Sequence, residues 1–248
     1  MKRGIILKYI LVTGLAAPPI DVLRSISTQW TPEERNRFEA ETAQRSMQNV
    51  NHLKAAVLWR DVEEDERRFL QAEFDQITAQ QRIDAGWLAE SIVCLLWALQ
   101  LLPEIPSYDQ EASPELVNAL PAAFIKDLVK QARLRPQEEI KKRRDIAELW
   151  HWRARTRRLQ EEGRLNGQVA GGYTIEQIIE RAAIKGAQDW DFPNPIGSDF
   201  PAMGKPYRDL SFEEFAILTS IAQERHKALN WLCGLSPSGL WADTPTAT

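Results

Sequence analysis

The sequence predicts an all-α protein: a single compact multi-helix domain with a long irregular loop before its last long helix. Three observations predict it. Helix-start signals recur, with Ser or Thr followed three residues later by Glu or Gln at Thr31/Glu34, Thr174/Gln177 and Ser211/Glu214. Alternating apolar and polar runs bounded by Asn-Gly or Asp-Gly are missing, so no strand is expected. Connections are short and no internal repeat is present, so residues 1–248 read as one domain. At 44% hydrophobic and 27% charged, the chain can bury a core without staples and is neither disordered nor low in complexity.

At the N-terminus, Met1-Lys2-Arg3 precedes the apolar stretch Gly4 to Ala17, an imitation of a secretory signal. Lys8 interrupts the stretch and Pro18-Pro19 follow at once. A short first helix, ended by the prolines and packed on the domain within residues 1–20, is expected instead. No segment approaches the ~20 apolar residues of a membrane span. Cys94 and Cys233 make no disulfide framework and fit a reducing compartment, so a cytoplasmic location is expected.

Thr31-Pro32-Glu33-Glu34 opens a helix expected to run to about Trp59. The charged segment from Asp61 to Gln81 follows, with Val62, Phe69, Phe74 and Ile77 as its buried residues. Trp87, Ser91, Leu95 and Ala98, flanked by Leu88, Ile92 and Leu99, form a wide stripe that marks the central core helix. Residues 103–114 read as a loop, and Ser113-Pro114-Glu115 restarts a helix. Pro136 opens the next helix, which ends near Glu162 before Gly163. Thr174 starts another. Residues 188–210, punctuated by Pro193, Pro195, Pro201 and Pro206, form the long loop. Ser211 caps the last long helix, which runs to about Cys233 ahead of an irregular tail, residues 234–248.

Charge is uneven. From Lys126 to Arg164 thirteen Lys/Arg face seven Asp/Glu, while the chain as a whole carries −4. The basic helix at 136–164 could attract nucleic acid. Arg144/Glu148, Arg157/Glu161 and Arg158/Glu162 are nevertheless spaced for i,i+4 pairing, and no nucleic-acid motif accompanies the charge.

Two constellations could carry chemistry. Glu148, His151 and Arg155 share one helical face, with Arg153 beside them; Glu-x-x-His is half of a di-iron set, whose second half is missing. Against that stands a structural Glu148–His151 pair among core tryptophans. Glu224, Arg225, His226 and Asn230 form the second group, with His226 beside the stripe Phe215, Leu218, Ala222, Leu229 and Cys233. A buried His151/His226 network would satisfy the core, or would line a pocket covered by the loop at 188–210. Polar residues of both groups, His151, Arg153, His226 and Asn230, are also natural partners for the indole N–H groups of the nine tryptophans. Neither a metal centre nor a cofactor is expected.

In order along the chain stand Leu95-Leu96-Trp97-Ala98-Leu99, the Trp/His/Arg block at 150–155, Asp199-Phe200-Pro201 with Gly204-Lys205-Pro206-Tyr207, Glu224-Arg225-His226 with Ala228-Leu229-Asn230-Trp231-Leu232, and the segment from Trp241 to Thr248. Together they resemble a bacterial family called domain of unknown function 4272, from about Leu7 onward. The resemblance implies a mostly helical protein and supplies no activity. Gln100 stands where the family tends to have Gly, and Ala247 where its tail tends to be acidic.

Gly-x-Ser-x-Gly, Walker, dinucleotide and His-Glu-x-x-His motifs are absent. The leading expectation is therefore a non-catalytic protein that binds another macromolecule, an accessory or toxin-neutralising one. The alternative is an enzyme or small-ligand binder with a site between the helices of His151 and His226. Nucleic-acid binding is the weaker alternative.

Overall fold

A computed structural model of the chain describes residues 1–16, 22, 25, 28–118, 132–165, 170–189 and 192–248. Pro18-Pro19, and residues 190–191 of the loop expected at 188–210, lie outside the described residues. Among those residues the regular structure is helical apart from one small hairpin and one isolated bridge. It packs as two compact units: Met1–Pro103 with Ala112–Leu134 and Leu240–Ala242, and Glu104–Glu111 with Arg135–Gly239 and Asp243–Thr248.

The first unit contains α1 (Lys2–Leu15), α2 (Pro32–Ala55), α3 (Glu64–Gln71), α4 (Ala79–Ala98) and α5 (Pro114–Asn118). The apolar N-terminal run is helix α1, packed on α4. At Gly14 an added Cβ would lie 2.4 Å from that of Ala85, so the two helices approach each other there only because glycine has no side chain. Arg3 is buried on the same helix and pairs with Glu66 at 2.5 Å and Glu63 at 3.3 Å, which keeps its charge compensated. Helix α4 is buried all round from Glu90 to Ala98, as its apolar run predicts. In the charged segment Val62 and Ile77 are buried as expected. Phe69 and Phe74 are only half-buried, and Leu70 takes the buried place instead. No helix among the described residues is long and apolar enough to cross a membrane.

Helix α2 ends four residues before the expected Trp59, because the chain turns left-handed at Val57 (φ 60°), and Leu58 N–H bonds back to Leu53 O. Helix α4 closes the same way at Gln100 (φ 58°), with Leu101 N–H bonded to Leu96 O. That is the position where the resemblance favours glycine, and the positive φ is the physical reason.

The second unit is built on α6 (Gln137–Glu161), α7 (Ile175–Asp189) and α8 (Phe212–Leu232), with α6 and α8 in extensive contact. Pro136 is the residue before α6, and Thr174/Gln177 and Ser211/Glu214 make the expected reciprocal caps. The expected strand-free loop needs correction. Residues Ile196 and Asp199 bridge across a tight turn at Gly197-Ser198 (φ 54° and 63°). Strands β1 (Pro201–Ala202) and β2 (Lys205–Pro206) then pair across Met203-Gly204 (φ 52° and 74°). Both turns have the paired positive φ of a tight hairpin, reached without the Asn-Gly or Asp-Gly signal. Trp150 centres the core, stacked on Tyr108 at 5.4 Å and Phe192 at 5.0 Å, with Phe200 edge-on at 5.5 Å.

Candidate functional site

Trp150 faces the core, and an α-helix turns about 100° per residue, so His151 and Arg153 leave α6 in different directions. Arg153 enters the core. Its Nε and Nη2 donate to the two oxygens of Asp199, each at 2.7 Å, with both side chains about 1% exposed. The same carboxylate accepts from the backbone N–H of Phe200 at 2.7 Å and of Arg208 at 2.9 Å. The two tight turns of the loop deliver Asp199 to this place. Burial raises the neighbouring Tyr207 phenol to about 12, so it stays protonated.

Arg225 is also structural. It is fully buried and donates to the carbonyls of Pro106 (2.5 Å), Ser107 (3.0 Å) and Gln110 (2.8 Å), fastening the loop at 104–111 with its guanidinium over the Tyr108 ring. Glu148 bonds Arg144 one turn back rather than His151, so the expected Glu148–His151 pair is not formed. Arg144/Glu148, Arg157/Glu161 and Arg158/Glu162 pair as their spacing predicts. Glu224 is half-buried and lies outside the cavity described below.

His151 and His226 do meet: their Nδ1 atoms are 3.0 Å apart, with His226 about 1% exposed. Their protonation follows from Pro245. Its carbonyl can only accept, so the Asn230 group 2.8 Å away is the NH2. That NH2 also lies 2.9 Å from His226 Nε2, which must therefore accept. The His226 proton is then on Nδ1, donated to His151 Nδ1, and His151 carries its own proton on Nε2. These residues therefore bond to one another and to the tail, not to the indoles as expected. The indole of Trp231 donates to Gly239 O at 3.2 Å.

Both imidazoles are neutral at pH 7. Burial pushes His151 down to about 4, aided by the charges of Arg155 and Arg158. Burial does the same to His226, also to about 4, aided by His151 and Arg144.

His151 lines a cavity of about 530 Å3 in this unit. Arg155 and Arg158 follow it on the same face of α6, and Phe212, Phe215 and Thr219 line it from one face of α8. His226 sits behind His151 and does not reach it. Among the described residues the expected loop at 188–210 supplies none of the lining; Thr246 and Ala247 of the tail contribute to it instead. Arg155 Nη1 also donates to Thr248 O at 2.6 Å.

Sequence reasoning missed Phe212, which is 82% exposed at the start of α8, and missed the tail. The i,i+3 spacing of Phe212 and Phe215 was the available signal. The cavity offers N–H donors beside an aromatic wall. Neither histidine leaves an unprotonated ring nitrogen without a hydrogen bond, which disfavours acid–base chemistry here. Among the described residues no three His, Cys, Asp or Glu side chains converge as a metal set.

No curated protein and no solved structure matches the chain. A family model described as a domain of unknown function (DUF4272) matches residues 33–181. The match stops short of the segment from Glu224 to Leu232 that carried much of the resemblance. It covers more than half of the 248 residues, and the chain belongs to this domain-of-unknown-function family.

Proposed function

We propose that this is a binding protein, and that its cavity takes a ligand joining an anionic, oxygen-bearing group to an apolar body. The observation that carries this reading is the fixed tautomer of His151. Its remaining polar group is an Nε2–H donor, on the same helix face as two guanidinium groups. The His151 and Arg155 donors call for acceptors, and Arg155, with Arg158 beside it although paired to Glu162 at 3.9 Å, favours an anionic one. Phe212 and Phe215 supply the apolar contact, and about 530 Å3 falls in the ordinary range of small-ligand pockets. Arginines 144, 153 and 157 are turned to groups of their own unit, which favours this local site over a phosphate-binding stripe along the basic helix.

Titration calorimetry with phenylphosphate and benzenesulfonate tests the reading. Binding is expected, weakened by about tenfold or more in Arg155→Ala and in His151→Ala. Lack of binding by both probes, or binding indifferent to Arg155, overturns it. Benzenesulfonate stays charged throughout, so it also reads proton linkage. A bound anion raises the His151 pKa from about 4, and affinity should rise as pH falls toward that value.

A further inference from the structure

We propose that the Asn230 side-chain amide is a proton-operated latch on the tail. It holds Pro245 while the His151/His226 pair is neutral, and lets residues 245–247 go when the pair takes up one proton. The four groups lie in one unit, linked in the order His151, His226, Asn230, Pro245. The latch works whatever the cavity binds.

The pair has four ring nitrogens, and two of them carry protons in the neutral state. One proton lies between the Nδ1 atoms, 3.0 Å apart, and the other is on His151 Nε2. The bond between the rings has room for a single proton. An added proton therefore ends on His226 Nε2, whichever ring receives it first. There it meets the Asn230 NH2 at 2.9 Å, donor against donor. Asn230 carries the remedy in its own Oδ1, which is buried and has no partner among the described residues. A half-turn about the Cβ–Cγ bond exchanges the two amide ends. It gives the imidazolium a charge-assisted acceptor and the orphan oxygen a donor. The same half-turn sets Oδ1 against Pro245 O, 2.8 Å from the place that Nδ2 held, acceptor against acceptor. Pro245 then leaves its seat, and Thr246 and Ala247, which line the cavity, move with it. Arg155 Nη1 keeps its hold on Thr248 O, so residues 245–247 loosen and not the whole tail.

The charged groups that face the pair are cations. From α6, Arg144 acts on His226, while Arg155 and Arg158 act on His151. Arg144 is itself paired with Glu148 and Asp145, and Arg158 with Glu162. From α8 and the tail come the uncharged Asn230 and Pro245. Burial, with these cations, holds both imidazoles down at about 4, so the latch is shut at pH 7 and opens toward pH 4.

Nuclear magnetic resonance on the whole chain tests this. The pH is lowered from about 7 until the His226 ring signal completes its shift, while backbone order parameters of Thr246 and Ala247 are measured. These are expected to fall from about 0.85 to below about 0.6, with the midpoint of the His226 titration. His226→Gln offers Asn230 an amide oxygen that takes up no proton, and should keep both residues ordered throughout. Order that persists through the His226 titration, or that is lost at a different midpoint, overturns the proposal. So does equal loosening in His226→Gln. Loss of the helical circular dichroism at the same midpoint also overturns it, because the proton is then taken up by unfolding. Should His226→Gln fail to fold, the unaltered chain decides by its two midpoints and its helical signal.

Discussion

Arg153 and His151 lie two residues apart on α6, and each heads a polar network, yet the two networks differ in how they close. At Arg153 a guanidinium and the carboxylate of Asp199 meet in the core, and the carboxylate collects four N–H donors. Every oxygen lone pair that burial strips of water is given a partner. At His151 the network runs through His226 and Asn230 to Pro245 O, and it ends in an N–H on a cavity-lining residue. Full charges are buried where they pair with each other and the carboxylate is fully satisfied, Arg153 Nη1 being left without a partner among the described residues, and neutral groups are used where one end faces a cavity. The first network serves the fold; the second presents a donor.

The largest effect should fall on the closed network. Arg153→Ala leaves Asp199 buried without its counter-ion and should cost about 3–5 kcal/mol of stability. Removing both partners, Arg153→Leu with Asp199→Leu, should not restore stability, because the Phe200 and Arg208 N–H groups then lose their acceptor. Urea unfolding measures each. A loss under about 1 kcal/mol for Arg153→Ala would erase the distinction between the two networks.

The open network should show a smaller cost and a pH signature that the closed one lacks. Folded His151 and His226 sit at about 4 against an ordinary 6.5. Between those values the unfolded chain binds protons that the folded chain refuses. Their stabilising contribution is therefore complete above about pH 6.5 and is lost as pH falls toward about 4. His226→Leu removes one of the two titrations, so the dependence of stability on pH in this window should flatten. At pH 8 the substitution should cost about 1–3 kcal/mol, since the buried Asn230 NH2 loses an acceptor and His151 Nδ1 its donor. An unchanged pH slope in urea titrations would show that the pair is not what titrates.

These networks were unequally legible in the sequence. Helix starts at Thr31, Thr174 and Ser211 could be read because a capping box is a local object, complete within four residues. The meeting of His151 and His226 could be anticipated from helical faces, since each lies beside an apolar stripe. Asp199 could not be assigned to Arg153, because two hairpin-like turns without their usual residues bring it there. Length and prolines point to the long loop as the cavity's cover. Length says where a chain can go, whereas Asn230 and Arg155 determine that the tail goes there instead.

Phe212 gives the smallest effect on stability and the sharpest separation of fold from site. It is the first residue of α8 and 82% exposed, so truncation removes little buried surface; its cap, Ser211, is untouched. Phe212→Ala should leave stability within about 0.5 kcal/mol, as expected for a surface substitution away from any special feature. The same ring lines the cavity, where it can cover a ligand's apolar body. Losing that contact should weaken benzenesulfonate binding by about three- to tenfold, while Phe212→Leu should recover part of the loss. Thermal unfolding and calorimetry on the two variants provide the comparison. If stability drops by more than about 1 kcal/mol while affinity is unchanged, Phe212 belongs with Arg153 among the residues of the fold. The expected opposite, intact stability with weakened binding, would place the exposed ring with His151 on the side of the site.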